Sequence, residues 1–312
     1  MAKKSSRLNA RMGNGCCHEK FAQRHVWGYN VCMALISTPT ASFEPLLFVF
    51  HENDLLLAPG PHSLPLGLQS LPSELFFRTC IEQHRAADWF SETELHYSAM
   101  ILKTDSVLPD DCEVVSLRQF FWDSKTDSEQ TGGISSSLGN LAARAHGFLR
   151  LRQQYRFCPA CGTELVVHEK EIAKVCPSCG RLDFPRIEPA IIVLVERDDG
   201  AILLVKSKNR ANKFFGCIAG FVEHGESAEQ CVAREVLEET GITVQDIRYV
   251  GSQAWPFPDQ LMLAFTARYK SGILVLQKSE LDDGGWFFRD RLPPLPLPGS
   301  VAYNLVMGHF TQ

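Results

Sequence analysis

Apolar positions along this 312-residue chain do not keep one period. From residue 31 to 122 they come in short runs, at 46–50, 55–57, 99–102 and 114–117, divided by Pro- and Gly-rich turns such as 58–67. Runs of that length between turn formers predict the strands of a small β-rich domain, with one or two helices near 74–89. Residues 123–140 are dominated by Ser, Thr, Asp and Gly and predict a flexible connection. The stretch 141–155 turns to Ala, Leu, Arg and Gln, good helix formers. Further on, strands are predicted at 191–195, 202–206, 218–222, 247–251, 261–269 and 273–276, with a hairpin turn at Asp199 and Gly200. Periodicity alone gives a mixed α/β chain without internal repeats.

One helix interrupts the later strands. Ser227 followed three residues later by Gln230 is a capping box, and Gly241 supplies a left-handed residue to end the helix. Within it Glu235, Glu238 and Glu239 stand at i, i+3 and i+4, one helical face, while Val232, Val236 and Leu237 pack elsewhere. Like charges so placed repel unless a hard cation sits among them, and Mg²⁺ takes a few carboxylates plus substrate phosphate. The plainer reading is a solvated acidic face with Arg234 as counter-ion.

Composition narrows the partners. Hydrophobic content of 45% suffices for real cores, and a net charge of −5 argues against a broad nonspecific nucleic-acid surface, leaving room for a local basic groove such as Arg144, Arg150, Arg152 and Arg156. No apolar run approaches membrane-spanning length, so no membrane partner is expected. Residues 1–30 carry Lys3, Lys4, Arg7 and Arg11 before the first acid, Glu19, and read as a disordered tail, with a mitochondrial presequence as the alternative. The run from Met12 to Cys17 would matter for lipidation only if translation began at Met12.

Four of the 11 cysteines form Cys158-x2-Cys161 and Cys176-x2-Cys179, each pair followed by glycine (Gly162, Gly180). Two such turns bring four sulfurs to one tetrahedral ion and close it, which points to structural Zn²⁺. Two redox pairs are the rival, but a redox dithiol normally opens a helix in a βαβ unit. The other seven cysteines show no paired framework, which favours a reducing, cytoplasmic setting.

Residues 220–242 fit G-x5-E-x7-R-E-U-x-E-E-x-G-U (U apolar) at Gly220, Glu226, Arg234, Glu235, Val236, Glu238, Glu239, Gly241 and Ile242. This pattern resembles the Nudix box. A zinc ribbon directly before it, the segment Ser252-Gln-Ala-Trp-Pro-Phe-Pro258 after it, and Pro296-Leu-Pro-Gly-Ser-Val-Ala302 together resemble the NADH pyrophosphatase branch, which also removes NAD caps from RNA. The resemblance is specific over 155–312 and rests on Ser116-Leu117-Arg118 alone further upstream.

What the resemblance implies is a Nudix α/β/α sandwich (186–312), preceded by a helix and four-Cys zinc ribbon (141–185) and a smaller β-rich N-terminal domain with its connector (31–140). It implies hydrolysis of the diphosphate of NAD(H) or a related dinucleotide with Mg²⁺ or Mn²⁺, and a homodimer. Metal ligands fall on the Ala219 carbonyl, Glu235, Glu239 and Glu280, with Asp282 and Asp283 as competitors of Glu280. Arg234 orients the carboxylates, and Glu238 or Glu239 accepts the proton of water. Substrate contacts fall on Arg118, Glu171, Phe184, Gln253, Ala254, Trp255, Pro256, Phe257, Pro258, Asp259, Gln260 and Ala302. Aromatic faces stack on bases, and prolines hold them in place; the rival reading makes Trp255 and Phe257 core residues. Ala254, Gln260, Phe184 and Gly284 stand where the family usually has Pro, Ser, Tyr and Ala. His224 and His309 read as solvated. Hydrolysis of other nucleoside diphosphate derivatives, or a zinc-ribbon protein that senses nucleotide without cutting it, are the alternatives.

Overall fold

The computed structural model describes residues 46–57, 86–92, 97–108, 112–126, 134–208 and 214–310. The tail expected at 1–30, the span 74–85 and the middle of the expected connection, 127–133, lie outside the described residues.

The N-terminal unit is a five-stranded sheet of β1 (Leu46–His51), β2 (Asp54–Leu57), β3 (Ala86–Glu92), β4 (Tyr97–Leu102) and β5 (Glu113–Ser116), in the order β3-β4-β1-β2-β5. Helices α1 (Leu117–Thr126) and α2 (Ile134–Gln154) cover it. Alternate residues Phe48, Phe50, Leu55 and Leu57 meet Leu117, Phe120, Ala142, Ala145 and Leu149 in one core. Two expectations fail here. Residues 86–89 are strand rather than helix, because they pair with β4. The connection is helical at 123–126 and 134–140, where α1 and α2 run past its expected bounds. The helix expected at 141–155 packs into this N-terminal core instead of standing with the ribbon.

The ribbon is a small sheet of β6 (Val166–Val167), β7 (Lys174–Val175) and β8 (Leu182–Asp183). It is tied back to α2 where the Lys174 ammonium donates to the Arg152 carbonyl at 3.0 Å.

The C-terminal unit is a six-stranded sheet of β9 (Glu188–Glu196), β10 (Ile202–Ser207), β11 (Ile218–Phe221), β12 (Ile242–Trp255), β13 (Gln260–Gly272) and β14 (Leu281–Phe287). Its path is β12-β13-β9-β10-β14, with β11 paired to β9. The period of two along β9 sends Ile191, Val193 and Val195 to one face and Ala190, Ile192 and Leu194 to the other. The first face packs on α3 (Ala228–Thr240) and the second on α4 (Val301–Met307), which makes the α/β/α sandwich.

The strand expected at 273–276 is extended chain without a strand partner. Its alternation is real, since Leu274 and Leu276 pack on the α3 core while Ile273 and Val275 are exposed. Its amides turn elsewhere: Val275 donates to the Thr240 carbonyl and Gln277 to that of Glu239, at the end of α3. Strand β14 was not expected, and its Asp282, Asp283, Gly284 and Gly285 hide it from an apolar count. A Cβ on Gly284 would stand 3.1 Å from both Leu276 and Val205, so the glycine fits a tight spot.

Candidate active site

Helix α3 forms where its caps dictate. The Ser227 hydroxyl accepts from the Gln230 amide at 3.2 Å, the Gln230 side chain accepts from the Ser227 amide at 2.8 Å, and Gly241 closes the helix at φ +70°. Such an N-cap is worth about 1 kcal/mol. Cys231, Val232 and Val236 point into the core. Leu237, expected to pack, is half exposed at 49%.

The glutamates are held unequally. Glu235 is largely buried and Glu239 is 6% exposed, whereas the Glu238 side chain is 55% exposed. Gly220 on β11 explains the first of these. A Cβ there would fall 1.9 Å from the Glu235 carboxyl, so only glycine lets the carboxylate lie against the strand. Ala219, the expected carbonyl ligand, is its neighbour on the same strand.

Arg234 ties the group together. Its Nε and Nη2 grip Glu226 at 2.8 and 2.9 Å, its Nη1 donates to Glu235 at 2.8 Å and Glu238 at 3.1 Å, and Nη2 also reaches the Phe221 carbonyl at 3.0 Å. A planar guanidinium with five donors suits this task. Arg234 holds the Glu226 carboxyl down to about 2, and the Glu223 amide assists. Burial pushes Glu235 up; Arg234 opposes this, while Glu238 and Glu280 repel it. Glu226 also accepts from the Glu223 amide at 3.1 Å, which ties the loop before α3 to Arg234.

Glu280 arrives from outside the helix. The segment 273–277 runs along the end of α3, the Glu280 amide turns back onto the Gln277 carbonyl at 3.1 Å, and the Lys208 amide donates to the Glu280 carbonyl at 2.7 Å. Glu280 is exposed and acts electrostatically on Glu235. Among the described residues only the four cysteines bring at least three donor atoms within 4.8 Å of one another, so Glu235, Glu239 and Glu280 stand further apart. That donor set is all oxygen and incompletely neutralised. It fits a hard divalent cation that keeps places for water and phosphate. His224 and His309 are exposed and take no part.

The segment 252–260 is the tip of the β12–β13 hairpin, with Trp255 paired to Gln260 and a turn between them. Asp259 accepts from the Glu188 amide at 2.8 Å through its carbonyl, and Ala254 pairs with Leu261. Gln253 is engaged internally: its amide donates to the Gly299 carbonyl at 3.0 Å and accepts from the Val301 amide at 2.9 Å. It therefore fastens the hairpin to the start of α4, where Ala302 is half-buried.

Trp255 and Phe257 are half-buried, which places them between the two expected roles. Trp255 packs on Trp122 at 5.4 Å and Phe257 on Phe121 at 5.6 Å. The Arg118 guanidinium lies 5.7 Å from the Trp255 ring and 5.1 Å from that of Phe257. The fold thus joins Arg118, expected from a three-residue likeness, to the aromatic hairpin. Phe121 and Trp122 escaped the sequence reading, although the run Arg118-Gln-Phe-Phe-Trp122 advertises them. Phe184, 52% exposed, follows β8, and Glu171 is exposed on the ribbon's β6–β7 turn, where its amide donates to His168 Nδ1 at 2.9 Å. Of the arginines considered for a basic path, Arg150 donates to the Pro258 carbonyl at 3.2 Å, Arg144 stacks over Phe148 and Arg156 over Phe157.

The zinc centre is built from two matching knuckles. Gly162 and Gly180, at φ +72° and +75°, donate to the Cys158 and Cys176 carbonyls at 2.8 and 2.9 Å. Sulfur–sulfur separations are 3.5 to 3.7 Å. A tetrahedron with Zn–S of about 2.3 Å has an edge near 3.8 Å, so the cysteines fit the ion. Hydrogen bonding with Thr163 brings Cys161 down to about 6. Cys179 is pushed up to about 12: the Arg181 amide acts to lower it, but Cys176, Cys158 and burial prevail. Four sulfurs cannot all ionise here without a cation.

A sandwich with carboxylates on the helix after a glycine-bearing strand, and a closed four-thiolate ribbon before it, define a ribbon-bearing metal-dependent hydrolase. The NUDIX domain pattern matches residues 186–304, and the NADH pyrophosphatase zinc ribbon domain matches 153–182. The chain belongs to the Nudix hydrolase family, in the branch that carries this ribbon. It is similar to proteins named NAD-capped RNA hydrolase NudC. It is 46% identical to that of Chromobacterium violaceum over 165 residues, 53% of this chain and 62% of that protein. Identity to that of Pseudomonas aeruginosa is 43% over 190 residues, 61% of this chain and 64% of the relative. For that of Pseudomonas putida it is 40% over 195 residues, 62% of this chain and 67% of the relative. The match thus spans less than two thirds of the first two relatives.

Proposed function

We propose that this protein hydrolyses the diphosphate of NAD(H), giving AMP and nicotinamide mononucleotide, and cuts the same bond in NAD-capped RNA. The observation that carries the reading is the set formed by Gly220, Glu235, Glu239 and Glu280, with Glu235 held by Arg234, in a chain that also bears the Trp255 hairpin and the ribbon. Mg²⁺ or Mn²⁺ held by Glu235, Glu239, Glu280 and the Ala219 carbonyl would neutralise phosphate charge and acidify a water. Water adds across one phosphorus–oxygen bond of the bridge: its hydroxyl stays on one phosphorus and its proton leaves on the other product. Glu238 and Glu239 are the candidates to carry that proton. Glu238 is the more exposed, and Arg234 holds its carboxylate in place. Base stacking falls to Phe184 and the exposed parts of the hairpin rings.

The relatives' shared name favours the RNA substrate, and the NADH pyrophosphatase ribbon favours the free dinucleotide. A homodimer in a reducing, cytoplasmic setting completes the reading; buried thiols at Cys217 and Cys231 suit such a setting. Incubation with NADH or NAD-capped RNA and Mg²⁺ or Mn²⁺ should release AMP and reduced nicotinamide mononucleotide from the first, and nicotinamide mononucleotide and a 5′-monophosphate RNA from the second. Mass spectrometry identifies these products, a salt series separates the two substrates, and light scattering reads the dimer. Intact dinucleotide and cap under every metal would refute the enzyme and leave the nucleotide-sensing alternative.

A further inference from the structure

The hairpin that carries Trp255 does not stand alone. Phe121, Trp122, Trp255 and Phe257 form a closed ring of four aromatic contacts. Centroids lie 5.7 Å apart for Phe121–Trp122, 5.4 Å for Trp122–Trp255, 5.7 Å for Trp255–Phe257 and 5.6 Å for Phe121–Phe257. Three of the four are edge-on and one is tilted, geometries that aromatic quadrupoles favour and that fix ring orientation. Two members come from α1 and two from the hairpin of a different unit. Their burial is unequal: Phe121 is 0% and Trp122 6% exposed, while the hairpin rings are half-buried.

The start of α1 is itself fixed. Ser116 accepts from the Gln119 amide at 3.1 Å, and the Leu117 amide donates to the Asn53 carbonyl at 3.0 Å. Arg118 therefore lies one turn before the aromatic pair and caps the hairpin rings, while Arg150 of α2 holds the Pro258 carbonyl. Trp255 also packs on the core beneath α4 in its own unit, whereas Phe257 packs on the core of the N-terminal unit.

We infer that the N-terminal unit is a positioning element for the substrate hairpin. Phe121 and Trp122 set the faces that Trp255 and Phe257 present, so they govern dinucleotide affinity without touching the dinucleotide. The inference rests on the reading of the hairpin as substrate-binding. Preset rings spare the ordering cost of binding, so losing them raises KM more than it lowers kcat.

The test uses the full chain. Trp122→Ala should raise KM for NADH on the order of tenfold with kcat changed less than about threefold, the span expected when one stacked base is loosened. Trp122→Phe, which keeps a ring, should restore KM. If Trp122→Ala does not fold, the milder Phe121→Leu replaces it with the same expectation. Circular dichroism supplies an arm without substrate. Two indoles this close give an exciton couplet, which Trp122→Phe and Trp255→Phe should each abolish with the same difference spectrum. Wild-type KM in the ring-less variant, or a spectrum without the couplet, overturns the inference. Because the couplet is read without dinucleotide, a wild type that leaves NADH intact would refute the substrate reading while the buttress is still decided by the couplet.

Discussion

In the ribbon, four sulfurs converge within 4.8 Å, and the groups that shift their ionisation are amides, Thr163 and one another. On α3 the crowding is relieved from within, since Arg234 bonds to Glu226, Glu235 and Glu238 at once. The first cluster is closed, tetrahedral and dependent on its ion. The second keeps its shape through a resident cation, and its three expected carboxylate ligands stand further apart than the sulfurs, with Glu280 alone of them exposed. A structural metal site thus spends all its ligands on the ion, and a catalytic one needs a frame that survives the ion's departure.

The comparison can be broken at several points. The largest effect belongs to the ribbon. Zinc in finger-sized sites supplies about 10–16 kcal/mol of apparent binding energy at neutral pH, so Cys158→Ser or strong chelation should unfold the ribbon and expose 153–182 to protease. Mild chelation of the Nudix centre should abolish activity and leave near-ultraviolet circular dichroism unchanged. Next is Glu239→Gln. Charge stabilisation of several kcal/mol translates into a loss of turnover on the order of 10³-fold, with an unchanged melting curve. Gly220→Ala comes third, because its Cβ must displace the Glu235 carboxyl. Movement of about 1 Å is enough for roughly a 100-fold loss of kcat/KM, and divalent-ion titration should show weaker binding.

The smallest effect tests the resident cation. Glu226→Gln leaves Arg234 short of the carboxylate it grips with two nitrogens and should cost about 1–3 kcal/mol at neutral pH. A carboxyl held down contributes stability above its unfolded value and loses it as pH falls. The wild-type advantage should therefore be full above pH 4.5, shrink below it, and be gone near pH 2. Denaturant melts of both proteins across that range measure it. A gap that did not close would place the stabilisation elsewhere.

The parts legible in the sequence were those specified locally. Ser227 with Gln230, Gly241, and the two cysteine knuckles each close within a few residues, and the structure has each where the spacing puts it. The parts that escaped depend on partners distant in sequence. Residues 273–276 alternate like a strand, yet their amides serve the end of a helix. Gln253 is expected to contact substrate, and its side chain bonds the Gly299 carbonyl and the Val301 amide at the start of α4. Polar composition hid the helical ends of 123–140, where Leu138 packs on the N-terminal core. The Nudix pattern names the carboxylates but says nothing of what steadies the aromatic hairpin, which comes from another unit.

The extended run from Val275 to Gln277 deserves to be viewed as a tether of set length. Its amides end α3 at Glu239 and Thr240, and three residues later the same strand of chain delivers Glu280. Lengthening that run by a residue would leave the helix, its caps and two of the acids intact, yet carry the third out of reach. With the metal site as proposed, a single insertion there should weaken divalent-ion binding with no substitution in the glutamates themselves.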